Sequence, residues 1–105
     1  MRVIKITAGR GNGNVTRLGL VDVDGVAIDL IALGATRVEV SICGNECAAL
    51  DVDFIASIIS VPFGLLNVRA GEYTPKIVYF SPAIPEGSVL AGPSFETEIR
   101  LKMVC

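Results

Sequence analysis

Histidine and tryptophan are both absent from this 105-residue chain. The first absence removes the commonest general acid–base residue and the commonest metal ligand. The second removes the large ring that stacks on sugars or anchors many sandwich cores. Charge is also scarce. Only 19% of residues are charged, nine basic against eleven acidic, and the net charge of −2 argues against broad electrostatic binding to nucleic acid or an anionic membrane. Long apolar runs are missing too. The longest, residues 54–66, is broken by Ser57, Ser60, Pro62 and Gly64 and falls short of the roughly 20 residues that span a bilayer. Lys5 interrupts the apolar N-terminal residues, so no signal-peptide core is expected and the chain reads as made in the cytoplasm. Three cysteines, an odd number, argue against a disulfide-built secreted scaffold.

What is present is apolar material, 51% of the residues, with eleven glycines and five prolines spread along the chain. That suits one domain, residues 1–105, with one core and frequent turns. Period-two alternation dominates. Phe95, Thr97, Ile99, Leu101 and Met103 point one way, and Glu96, Glu98, Arg100 and Lys102 the other. Val38, Val40 and Ile42 alternate likewise with Arg37, Glu39 and Ser41. Further strands are expected over 2–8, 16–23, 26–30, 48–51, 55–65 and 73–80, with a short edge strand over 88–91. Asp24-Gly25 marks a two-residue hairpin, and 44–46 and 82–87 mark turns. Residues 28–33, followed by Gly34, also fit one turn of helix with a glycine cap. About seven to nine short strands at this spacing predict an all-β sandwich or barrel.

The most specific local string is Arg69-Ala70-Gly71-Glu72-Tyr73-Thr74. It resembles the tyrosine corner of immunoglobulin-type sandwiches, in which a tyrosine hydroxyl reaches back to backbone a few residues upstream. Those families carry a cysteine two residues after the tyrosine. Pro75 stands there, so the resemblance implies a sandwich without the inter-sheet disulfide. A wider pattern runs through Asp24-Gly25, Asp29-Leu30, Gly34-Ala35-Thr36 and Val38-Glu39-Val40 to Leu66, Gly71 and Tyr73, then Ile77 and Tyr79. It is similar to small immunoglobulin-like domains of tailed bacteriophages and prophages, such as the N-terminal domain type of baseplate upper proteins. That resemblance implies a structural corner at Leu66, Gly71 and Tyr73. It also implies a non-catalytic virion component of tail, baseplate or head decoration, assembled in the host cytoplasm. Its partners would be other virion proteins or copies of itself in a homo-oligomer.

Candidate chemistry is thin. Cys43 and Cys47 bracket a three-residue turn and read as turn-flanking residues, or else as a reversible disulfide. Zinc would need about four ligands, and only Cys105 remains. Asp22, Asp24, Asp51 and Asp53 form two carboxylate pairs without the rest of a calcium loop or a sugar cleft. The glycine-rich 9–14 leads into a strand, whereas a phosphate loop needs a helix. No serine has a histidine to activate it, and no serine–lysine spacing stands out. No enzyme activity, metal or cofactor is therefore expected. Segments 61–66 and 77–80 are apolar on both faces. Val61, Phe63, Val78 and Phe80 are accordingly candidates for a protein contact surface, or for strand residues covered by a loop such as 83–85. The competing function is a carbohydrate- or cell-surface-binding module using loops 9–14 and 51–54.

Overall fold

The structure, a computed structural model, describes residues 2–11, 13–21, 24–43, 47–66, 68–92 and 97–104. Nine strands form two sheets among them. The strands are β1 (Arg2–Gly9), β2 (Thr16–Gly19), β3 (Arg37–Cys43), β4 (Cys47–Ile55), β5 (Ile58–Val61), β6 (Gly71–Tyr73), β7 (Lys76–Ser81), β8 (Ile84–Ala91) and β9 (Thr97–Val104). The smaller sheet runs β1-β9-β6 and the larger β2-β5-β4-β3-β7-β8. The architecture is all-β and sandwich-like. The first and last strands pair in parallel, Lys5 opposite Arg100 and Thr7 opposite Lys102, while every other strand pair is antiparallel.

The cleanest alternations build the core. In β9, Ile99, Leu101 and Met103 are buried while Arg100 and Lys102 are exposed. In β3, Val38, Val40 and Ile42 are buried between outward Arg37, Glu39 and Ser41. These rows meet Ile59, Val61, Ile77 and Tyr79 in one cluster that also takes in Leu18, Leu30, Phe63, Leu66 and Val68. Full burial of each large side chain contributes about 1.5–3 kcal/mol.

Several boundaries differ from the sequence expectation. Residues 55–65 are not one strand: β4 ends at Ile55, β5 starts at Ile58, and Phe63–Leu65 form a 3-10 turn. The two-residue turn between β4 and β5 contains Ala56 at φ 52°, a left-handed conformation without the glycine or asparagine that would signal it. Tertiary hydrogen bonds fix it there: the Leu30 N–H donates to the Ala56 carbonyl at 2.9 Å and the Leu20 N–H to the Ser57 carbonyl at 2.8 Å. Residues 73–80 divide at Pro75 into β6 and β7, which belong to different sheets. Proline has no N–H for a ladder, so the chain leaves one sheet there and joins the other. The turn expected over 82–87 shrinks to Pro82-Ala83, and β8 takes in Pro85 and Gly87 as an edge strand with two register shifts. Among the described residues of the 16–23 and 26–30 strands, β2 and an isolated Val21–Ala27 bridge form, with Gly25 at φ 80°. Asp22, the 44–46 turn, Phe95, Glu96 and Cys105 lie outside the described residues.

The contact surface expected at Val61, Phe63 and Val78 is corrected. Val61 and Phe63 belong to the core, and Val78 is buried under β8. Phe80 is half-buried, with the Arg37 guanidinium 4.1 Å above its ring. Gly87 of β8 lies against Val78 and Phe80, so they are covered by a strand where the alternative reading had a loop such as 83–85.

Candidate functional site

Two surface features stand out. The first is an apolar tip. Asp29 opens a single turn by accepting hydrogen bonds on Oδ1 from the Ile31 and Ala32 N–H groups at 3.0 and 3.3 Å. Gly34, at φ 74°, closes it. The Gly34 N–H donates to the Ile31 carbonyl and the Ala35 N–H to the Leu30 carbonyl, both at 3.0 Å, the paired bonds of a Schellman cap. The segment read as one turn of helix over 28–33 is thus a hydrogen-bonded turn and not a helix, although the glycine cap forms at Gly34. It buries Leu30 and leaves Ile31 and Leu33 in water. The Leu30–Ala56 bond joins it to the β4–β5 turn, where Ile55 and Ile58 are cross-strand partners and both exposed. Ile55 is 76% and Ile31 63% exposed. Single exposed aliphatics are ordinary, but four large ones gathered in two hydrogen-bonded turns are the kind of patch that marks a contact site.

The second feature is an open cleft of about 1070 Å³ on the small sheet. Lys5, Arg69, Glu72, Tyr73, Arg100 and Lys102 line it, and Cys43 reaches its margin. The parallel β1–β9 register sets Lys5 beside Arg100, and the antiparallel β6–β9 register sets Glu72 opposite Lys102. Arg100 is engaged by Glu98 at 3.1 Å. The corner residues form one wall: the Tyr73 hydroxyl donates to the Arg69 carbonyl at 2.8 Å, Gly71 has φ 156°, and Leu66 is buried behind them. A basic cleft was not visible in the sequence, because its cations come from three separate segments.

Cys43 and Cys47 are register partners at the end of the β3–β4 hairpin, 4.1 Å apart at Cα, and are joined by a disulfide. The disulfide alternative thus describes this structure, where the reading as simple turn-flanking residues does not. Closing so short a loop removes little denatured-state entropy, so reduction should cost about 2 kcal/mol on the chain-entropy account. Thiol labelling of the unfolded, non-reduced chain checks the pairing. One reactive cysteine, Cys105, is expected, and three would contradict it.

Among the described residues no group of three or more Cys, Asp or Glu gathers to hold a metal ion. Asp51 sits 3.6 Å from the Arg37 guanidinium, and the 51–54 segment proposed as a loop is the middle of β4. The first part of the 9–14 loop is tied down, the Arg10 N–H to the Val104 carbonyl and the Gly11 N–H to the Gly64 carbonyl. Compared with protein-family models, curated proteins and solved structures, the chain has no significant match in any of the three.

Proposed function

We propose that this chain is a non-catalytic structural protein that works through protein–protein contacts made by its apolar tip. The observation that carries this reading is the exposure of Ile31, Leu33, Ile55 and Ile58 on two turns joined by the Leu30–Ala56 hydrogen bond. A solvated loop would satisfy the same backbone with polar side chains. Hydrophobic side chains displayed on a rigid support lose little conformational entropy on docking. The fold we read as immunoglobulin-like. The corner hydrogen bond from Tyr73 supports that reading. The division into three and six strands, with β6 and β7 split between sheets, departs from the usual three-and-four arrangement. A tailed-phage or prophage particle is the setting suggested by the sequence resemblance, and assembly contacts are the activity such a setting requires.

The test is sedimentation velocity on the intact chain. The wild type should associate as concentration rises into the high-micromolar range, as small interfaces do. Ile31→Asp with Ile55→Asp should remain monomeric and melt as the wild type does, because both side chains are exposed. A strictly monomeric wild type that also binds no neighbouring particle protein would end this reading.

A second reading has its own observation. Lys5, Arg69 and Lys102 around the cleft suit an anionic cell-surface ligand such as an acidic polysaccharide. Retention of the wild type on a sulfated polysaccharide column, lost in Lys5→Glu/Lys102→Glu, would favour it.

A further inference from the structure

The chain's charge is unevenly distributed. Residues 22–53 hold seven acids and a single base, Arg37, a net charge of −6. The remaining residues hold eight bases and four acids, a net charge of +4. The fold turns this uneven sequence into two distinct surfaces. Asp29 and Asp53 are exposed on the elements that form the apolar tip. Arg37 cannot offset them, because it is already engaged by Glu39 at 3.7 Å, Asp51 at 3.6 Å and the Phe80 ring. The cleft gathers Lys5, Arg69, Arg100 and Lys102 against Glu72 and the Glu98 that engages Arg100.

The two surfaces are far apart on one copy. Cys47, partner of the Cys43 at the cleft margin, begins β4, and Ile55 at the tip ends it. Eight residue steps of strand at about 3.3 Å each separate them by roughly 26 Å. A chain therefore cannot close its tip into its own cleft.

Resting on the contact-module reading above, we infer that the partner of the tip is the basic cleft of a second copy of this chain, so that copies join head to tail. The tip is exposed and apolar, with the Asp29 and Asp53 carboxylates on the same elements. The cleft is concave and basic, and carries the Tyr73 ring on its wall. Seating one in the other removes the exposed isoleucines from water and brings opposite charges together. A two-fold contact of tip against tip would bury the same aliphatics but set Asp29 and Asp53 against their own copies, which like-charge repulsion disfavours. A head-to-tail contact uses different patches on the two partners. It therefore continues into a chain of copies, or closes into a ring where the rotation allows.

Complementation tests this directly. A tip variant, Ile31→Asp/Ile55→Asp, and a cleft variant, Lys5→Glu/Lys102→Glu, are each sedimented alone and then mixed one to one. Head-to-tail joining predicts that each variant alone is monomeric. The mixture should form a dimer and nothing larger, because one intact tip and one intact cleft remain. A cleft variant that associates like the wild type, while the tip variant does not, overturns the inference and leaves the contact-module reading standing. An unassociated wild type overturns the inference, and it overturns the contact-module reading as well only if the chain also binds no neighbouring particle protein. Salt supplies a readout on the wild type that requires no variant to fold. Between about 0.1 M and about 1 M salt the screening length falls from about 10 Å to about 3 Å, and the dissociation constant should rise at least about tenfold. Association unchanged or strengthened by salt would contradict the charge pairing.

Discussion

Gly87→Ala should destabilise the fold by about 2–5 kcal/mol, summing a left-handed backbone cost and overpacking. Gly87 lies in β8 at φ 89°, where a β-carbon would stand 2.5 Å from Val78 Cγ1 and 2.8 Å from Phe80 Cε1. Neither neighbour has room to retreat. Val78 is buried, and Phe80 is stacked beneath Arg37. The close approach exists because β8 carries extra residues relative to β7, with Tyr79 opposite Ser88 but Ser81 opposite Ile84. The bulged chain presses backbone, rather than a side chain, onto the outer face of β7. Domains of this size have only about 5–15 kcal/mol of total stability, so the alanine variant should lose a large share of it. Urea denaturation of both proteins measures the difference. A loss below about 1 kcal/mol would mean that β8 does not lie across Val78 as described.

Phe63→Ala should cost a similar amount, about 3–5 kcal/mol, by a different route. Phe63 is 1% exposed and is the largest fully buried side chain among the described residues. It opens the 3-10 turn that leads to Leu66 and Val68, both also buried. Removing the ring leaves a cavity bordered by a turn pinned at Gly64, whose carbonyl accepts from the Gly11 N–H at 2.8 Å. A pinned segment collapses poorly into a void, which places the cost toward the upper end. A melting temperature unchanged by this substitution would show that Phe63 is not a core residue. The same burial explains why Phe63 cannot serve as a contact residue, despite its position in a run apolar on both faces.

The legible parts of the fold share one property. In β3 and β9 the outward Arg37, Glu39, Ser41, Glu98, Arg100 and Lys102 are polar or charged, so period two alone separates wet from dry faces. The corner was legible as well, because a glycine, a tyrosine and the spacing between them encode a local hydrogen bond. The β4–β5 turn was not. Ala56 and Ser57 carry no turn signal, and the turn is fixed by bonds from Leu20 and Leu30, far away in sequence. Pro75 did signal a break, but only the register shows that the break moves the chain between sheets. The candidate surfaces were the least legible. Ile31 and Ile55 have the same identity as core isoleucines, and exposure is a tertiary property. The cleft cations become neighbours only through the pairing of the first strand with the last.

The central claim, that the tip is the contact surface, is tested most directly by following backbone amide shifts of the intact wild type as it is concentrated. Head-to-tail contact through the tip gives concentration-dependent shifts at Ile31, Leu33, Ile55 and Ile58, together with shifts at Lys5, Arg69 and Lys102. Shifts confined to other surfaces would contradict the tip as the contact surface, and none as concentration rises would contradict contact between copies.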